Sequence, residues 1–192
     1  MAADAGLRMS SRRTEWSGEE RVLMLRLAHR AIEAALRHET LDTSPPSPHL
    51  SEKRGAFTTL HLNGELRGCV GFIAPMYPLY RTVAETAVAA AFSDTRFRPV
   101  TEMEAPQLAV EISVLSPLAR IAAERVEVGR HGLLISKGGR RGLLLPQVPL
   151  EHGWDREMFL QQTCLKAGLA PDAWKQDATL EAFTAEVFGE AG

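Results

Sequence analysis

Residues 57–72 constrain the fold more than any other stretch. Phe57-Thr-Thr-Leu-His-Leu62 and Glu65-Leu-Arg-Gly-Cys-Val-Gly-Phe72 are apolar-rich runs separated by Asn63-Gly64. Both turn residues tolerate the positive φ of a type I′ turn, so the pattern predicts a β-hairpin. With a two-residue loop, Leu62 faces Glu65, Leu60 faces Arg67 and Thr58 faces Cys69. Side chains alternate across a strand, so Glu65, Arg67 and Cys69 are expected on the face of Thr58 and Leu60. Leu66, Val70, Phe72 and Phe57 take the more apolar face, and His61 falls opposite Cys69.

The flanking segments add helices and further strands. Ser17 and Glu20 form a capping-box pattern that opens a helix running to about His38, with Leu25, Ala28, Ile32 and Leu36 on one stripe. Residues 1–15 before it read as a disordered leader. Residues 39–50, with Pro45-Pro46-Ser47-Pro48, read as a stiff irregular linker. Pro78 suits a first helical position, and Leu79–Phe92 is an alanine-rich helix with Leu79, Val83, Ala87 and Ala90 aligned. Leu108–Leu115 alternates as a half-buried strand. A second hairpin is expected from Gly132–Ser136 into Arg141–Gln147. Asp155 caps a helix that Gly168 ends, a short helical turn surrounds Pro171–Trp174, and Leu180–Phe188 closes the chain as a strand. Gly64-Glu-Leu-Arg-Gly-Cys-Val aligns with Gly138-Gly-Arg-Arg-Gly-Leu-Leu, and Leu108–Ser116 with Leu180–Phe188. The two halves therefore read as a hairpin–helix–strand repeat.

Composition narrows the function. The chain has 192 residues, 24% of them charged, and a formal charge of −2. That balance lacks the basic footprint of a duplex-DNA binder, so no nucleic-acid partner is expected. No apolar run approaches the roughly 18 residues of a membrane span, and the arginine-bearing N-terminus has no apolar core of a secretory signal. Cys69 and Cys164, the only cysteines, point to a reducing cytoplasm without a disulfide, and they exclude an iron–sulfur cluster held by this chain alone. The six histidines show no paired metal-ligand spacing, and no Gly-x-Gly-x-x-Gly fingerprint follows a strand. Neither a metal nor a cofactor is expected.

Cys69 is the residue that hints at chemistry. In the expected register Arg67 is its same-face neighbour, and a nearby guanidinium favours the thiolate. Gly68 and Gly71 beside it would let a ligand approach closely. A thiolate nucleophile also needs a base and an orienting group. His61, Glu111 on the polar face of its strand and His131, which opens the second hairpin, are the candidates, and the expected register disfavours His61. Against this stands a plain alternative: free cysteine is often a small core hydrophobe, and Cys69 aligns with Leu143 in the repeat. Cys164 lies on the core stripe of its helix and reads as structural. Asp94 and Arg96 either line an anion-binding cleft or form a local ion pair at a helix end. Gln147, in Pro146-Gln147-Val-Pro149, lies in a rigid loop that is a binding edge or simple packing.

Several stretches together resemble the AMMECR domain family, also called system protein A of the AmmeMemoRadiSam set. They are Asn63-Gly-Glu-Leu-Arg-Gly-Cys-Val-Gly71, Ala90-Ala-Phe-Ser-Asp-Thr-Arg-Phe97, Ser113-Val-Leu-Ser-Pro117, Gly129-Arg-His-Gly-Leu-Leu134, Leu145-Pro-Gln-Val-Pro149 and Thr163-Cys-Leu-Lys-Ala-Gly-Leu169. The resemblance spans residues 17–188. It implies an α+β fold in which the two repeats surround a single barrel-like mixed sheet, with the N-terminal helix added. That makes residues 16–190 one domain, divisible into two lobes at about 51–117 and 118–190. The resemblance supplies no reaction. It implies protein partners, a Memo-type protein and a radical S-adenosylmethionine enzyme; a cleft around Cys69 would bind or modify a small molecule or peptide. Whether the chain is itself an enzyme stays open at this point, beside the reading of a binding or scaffold module with Cys69 structural.

Overall fold

The computed structural model describes residues 14–41 and 44–190. Residues 1–13 of the expected leader, and 42–43 of the expected linker, lie outside the described residues. The elements in order are α1 (Gly18–Leu36), β1 (Ala56–Leu62), β2 (Glu65–Phe72), α2 (Leu79–Phe92), β3 (Leu108–Leu115), β4 (Ala119–Arg120), β5 (Gly132–Lys137), β6 (Arg140–Leu144), α3 (Val148–Glu151), α4 (Arg156–Lys166), β7 (Thr179–Phe183) and β8 (Ala185–Gly189). Short 3₁₀ turns stand at His49–Ser51 and Ala173–Lys175, among others. The first gives the linker a local structure and buries Leu50.

The local signals act as elementary chemistry requires. Ser17 and Glu20 cap α1 reciprocally, Asp155 caps α4, and Gly168 follows α4 at φ 68°. Asn63 and Gly64 adopt φ 53° and 81°, the pair of values a type I′ turn needs. The buried stripe of α1 is Met24, Leu27, Ala28, Ala31 and Ile32, so the face is turned slightly from the expected one. The alanines of α2 let it lie close on the first sheet. Its buried Thr86 hydroxyl pairs with Thr58 on β1 at 2.8 Å.

A single barrel-like mixed sheet is not what forms. Two four-stranded sheets stand instead, ordered β2-β1-β3-β8 and β4-β7-β5-β6, and every pairing is antiparallel. The reason lies in two crossovers. After β3 the chain passes Ser116-Pro117 into β4 of the second sheet. After β7 it passes Thr184 into β8 of the first, so the expected closing strand is split in two. Ser116 N–H donates to the Thr184 carbonyl at 2.8 Å, and Thr184 N–H donates back to Ser116 Oγ at 2.9 Å. These two bonds hold the crossing strands side by side where the ladder stops. The strand β6 ends at Leu144, before Pro146, which has no N–H to give to a ladder.

Each sheet packs one face on helices. The first core gathers α1, α2 and the Ala56, Leu60, Val110, Ile112 and Phe188 faces of its strands. The second gathers Leu133, Ile135, Leu180 and Ala182 with Phe159, Leu160 and Cys164 of α4. Leu115, Leu134 and Phe183 are buried without belonging to either cluster, so the helix-free faces are covered near the crossover. Among the described residues, no helix is long and apolar enough to cross a membrane.

Candidate functional site

The first hairpin starts in the expected register and then departs from it. Leu62 pairs with Glu65 and His61 with Leu66, but Leu60 pairs with Gly68 and Thr59 with Cys69. Arg67 is the extra residue of a β-bulge. Because the side-chain period is two, that insertion moves Cys69 to the opposite face from the one expected. Thr58 and Leu60 are fully buried toward the helices. Cys69 instead shares the helix-free face with Phe57, Thr59 and His61. Glu111 of β3 pairs with Thr59, so Cys69, Thr59 and Glu111 form a row across three strands. Two strand spacings separate Cys69 from Glu111 by about 10 Å. His61, expected on the far side, stands on this face, diagonal to Glu111.

Cys69 is half-buried and held at two atoms. Thr59 donates its hydroxyl to the sulfur at 3.3 Å. The Cys69 N–H donates to Asp94 Oδ2 at 2.9 Å. Asp94 comes from the loop that ends α2, and it also takes Arg96 Nη2 at 2.7 Å and Arg96 Nε at 3.0 Å. The Arg96 hydrogen bond, followed by the Cys69 N–H, holds the Asp94 carboxyl far below the usual carboxylate range. Arg96 is raised in turn, first by its bond to Asp94, with the Cys69 sulfur adding a weaker attraction. The Asp94 side chain is 6% exposed and that of Arg96 57%, so the acid is structural and the cation faces solvent.

The expected role of Arg67 does not hold. The bulge releases it from the ladder, and its guanidinium clamps the 98–104 loop. Nε and Nη2 donate to the two carboxylate oxygens of Glu104 at 3.1 Å each, and Nη1 donates to the Arg98 carbonyl at 2.8 Å. This fork, with the Thr101 N–H, lowers Glu104 to about 2. The guanidinium beside the thiol is therefore that of Arg96.

The glycines are also explained without a ligand. A Cβ on Gly68 would stand 2.1 Å from the Ala90 carbonyl oxygen of α2, and one on Gly71 would strike the Phe57 ring at 2.2 Å. Both places are filled by the protein. His131 is not brought to Cys69. It stands before β5 on the second sheet, where its Nδ1 accepts the Glu127 N–H at 3.0 Å, and burial lowers its pKa. Gln147 is exposed at the start of α3. Cys164 is fully buried in the second core, and burial raises its thiol pKa.

Thr59 was missed by sequence reasoning, and His61 was set aside because the expected register put it on the other face. The only local hint of a bulge is a glycine directly after Arg67. Among the described residues His61 and Glu111 have no hydrogen-bond or ion partner, and both are half-buried on an open face. Two surface depressions, one beside Arg120 and Trp174 and the other beside His29 and Glu190, do not include Cys69. Glu15, His49 and Glu52 bring three ligand atoms within 4.8 Å of one another. Arg54 donates to both of these carboxylates and already supplies the balancing cation.

The AMMECR1 family model matches residues 25–188. Protein TK0174 of Thermococcus kodakarensis is 46% identical over 190 residues, covering 92% of this chain and 91% of the relative. Protein MK0488 of Methanopyrus kandleri is 43% identical over 184 residues, covering 90% and 89%. The crystal structure of uncharacterized protein PH0010 from Pyrococcus horikoshii superposes with a TM-score of 0.71 at 44% identity, covering 88% of this chain and 90% of that one.

Proposed function

This chain belongs to the AMMECR1 family, and from that premise we propose that it is a cytoplasmic accessory protein of a Memo-type and radical S-adenosylmethionine enzyme module, acting through the thiol of Cys69. The family resemblance supports the module. The single observation that carries the site is the setting of Cys69: a half-buried thiol on a helix-free sheet face, fixed at its amide by Asp94 and at its sulfur by Thr59. His61 and Glu111, without a hydrogen-bond or ion partner among the described residues, are the groups on the same face available to move a proton. Because the face is open, it suits a peptide or a small molecule presented by a partner. The likeness of the two halves, hairpin then helix then strand, is read as an internal duplication in which the first copy kept the chemistry.

The test has two arms. In a Cys164→Ala background, the folded protein should be alkylated at Cys69 alone. Cys69→Ala should abolish the module's activity in cells that carry it. A Cys69 that reacts only on unfolding, with module activity intact in Cys69→Ala, overturns the proposal.

A second reading has its own observation. Gly68 and Gly71 are explained by packing against Ala90 and Phe57, which suits a non-catalytic scaffold with Cys69 as filler. It expects partner binding to survive Cys69→Ala.

A further inference from the structure

On one side of Cys69 stands the Asp94–Arg96 ion pair, whose cation faces solvent, and on the other stands an acid without such a partner among the described residues. Toward the edge of the sheet stands Arg96. One oxygen of Asp94 accepts both the Cys69 N–H and Arg96 Nη2, so a single atom separates the guanidinium from the cysteine's amide. Asp94 uses Nε and Nη2 of the fork, which leaves Nη1 free to donate outward. Its position is set by the fork geometry rather than by a flexible stem. Toward the middle of the sheet, one strand beyond Thr59, stands Glu111. Among the described residues it has no cation to pair with. The thiol therefore lies between an outward-facing cation and an unpaired carboxylate about 10 Å away.

Resting on the reading of Cys69 as a reactive thiol, we infer that its substrate is bipolar, with an anionic group bound by Arg96 and a cationic group bound by Glu111, as in an amino acid or a peptide carrying both charges. An open face lets both ends of such a ligand reach their partners while its middle crosses the sulfur.

Charged thiol reagents read this arrangement directly. Methanethiosulfonates react by thiolate attack on the sulfenyl sulfur: the new S–S bond forms, and methanesulfinate leaves with the electron pair. The full chain in a Cys164→Ala background is treated with sulfonatoethyl (anionic), trimethylammonioethyl (cationic) and methyl (neutral) reagents. Rates are compared as ratios to the neutral one, which cancels any change in the thiol itself. Arg96→Gln should lower the anionic ratio about fivefold, as expected for about 1 kcal/mol between charges near a surface. Arg96→Lys should restore it. Glu111→Gln should lower the cationic ratio by a similar factor and leave the anionic one undiminished. Ratios that do not move in Arg96→Gln or Glu111→Gln overturn the bipolar substrate and leave the reactive thiol standing. Failure of all three reagents to label the folded protein overturns both.

Discussion

The two hairpins each lay a glycine of the second strand against a helix, and they differ in register by one inserted residue. The glycines are Gly68, on the backbone of Ala90 in α2, and Gly142, on that of Ala167 at the end of α4. In each, the next residue points to the helix-free face: Cys69 opposite Thr59, and Leu143 opposite Leu134. From turn to glycine, however, the second hairpin runs without interruption, whereas the first carries Arg67 as a bulge. Each has a phenylalanine lying over a glycine, Phe57 over Gly71 in the first and Phe183 of β7 over Gly132 in the second, but on its free face the plain hairpin pairs Leu134 with Leu143. The bulged one sends an arginine out of the ladder to hold the loop that carries Asp94 and Arg96. One inserted residue therefore separates a scaffold from a candidate site.

The comparison breaks most visibly at the shared glycines. Gly68→Ala and Gly142→Ala each force a methyl into backbone, and each should destabilise by about 3 kcal/mol. Thermal unfolding checks this, and tolerance at either position would mean that the helix–sheet contact is looser than described. Next is the bulge residue. Arg67→Met leaves Glu104 without its fork and should cost about 2 kcal/mol, the range for hydrogen bonds to charged groups. It should also loosen the 98–104 loop in hydrogen exchange, and Arg141→Met in the other hairpin should do neither.

Acid probes the same clamp. The Glu104 carboxyl titrates at about 2 in the folded chain against an ordinary 4.5, so the unfolded chain takes up this proton first. The stabilisation from this group is complete above about pH 4.5 and drains as pH falls toward 2. In Arg67→Met the Glu104 titration, followed by carboxyl NMR, should move upward.

Smaller effects separate the two facing positions. Leu143→Ala should cost about 1–2 kcal/mol, and Cys69→Ala less than about 1 kcal/mol, because less apolar volume is removed. Equal losses in denaturant melts would favour Cys69 as core filler. Smallest is Thr59→Val, which removes one hydroxyl from the sulfur. It should slow alkylation of Cys69 about fivefold, the worth of one ordinary hydrogen bond, with little change in stability.

The sequence by itself determined the features whose causes lie within a few residues. Asn63-Gly64 set the first turn, Ser17 with Glu20 and Asp155 set two helix starts, and the alternation of Leu108–Leu115 set β3. It also marked Cys69 as the thiol to examine, and Asp94 with Arg96 as an anion-binding cleft or a local ion pair at a helix end; only the structure brought that pair to Cys69. Only the tertiary structure decided which face Cys69 occupies. A bulge costs ladder bonds locally and is stabilised by what Arg67 finds at Arg98 and Glu104, more than thirty residues away, and a period-two pattern carries no trace of such a slip. For the same reason the sequence left His61 on the wrong face and Thr59 unnoticed. Pairing of strands between sheets is likewise set by the Ser116–Thr184 crossing, a contact between distant segments, so two sheets form where one was expected.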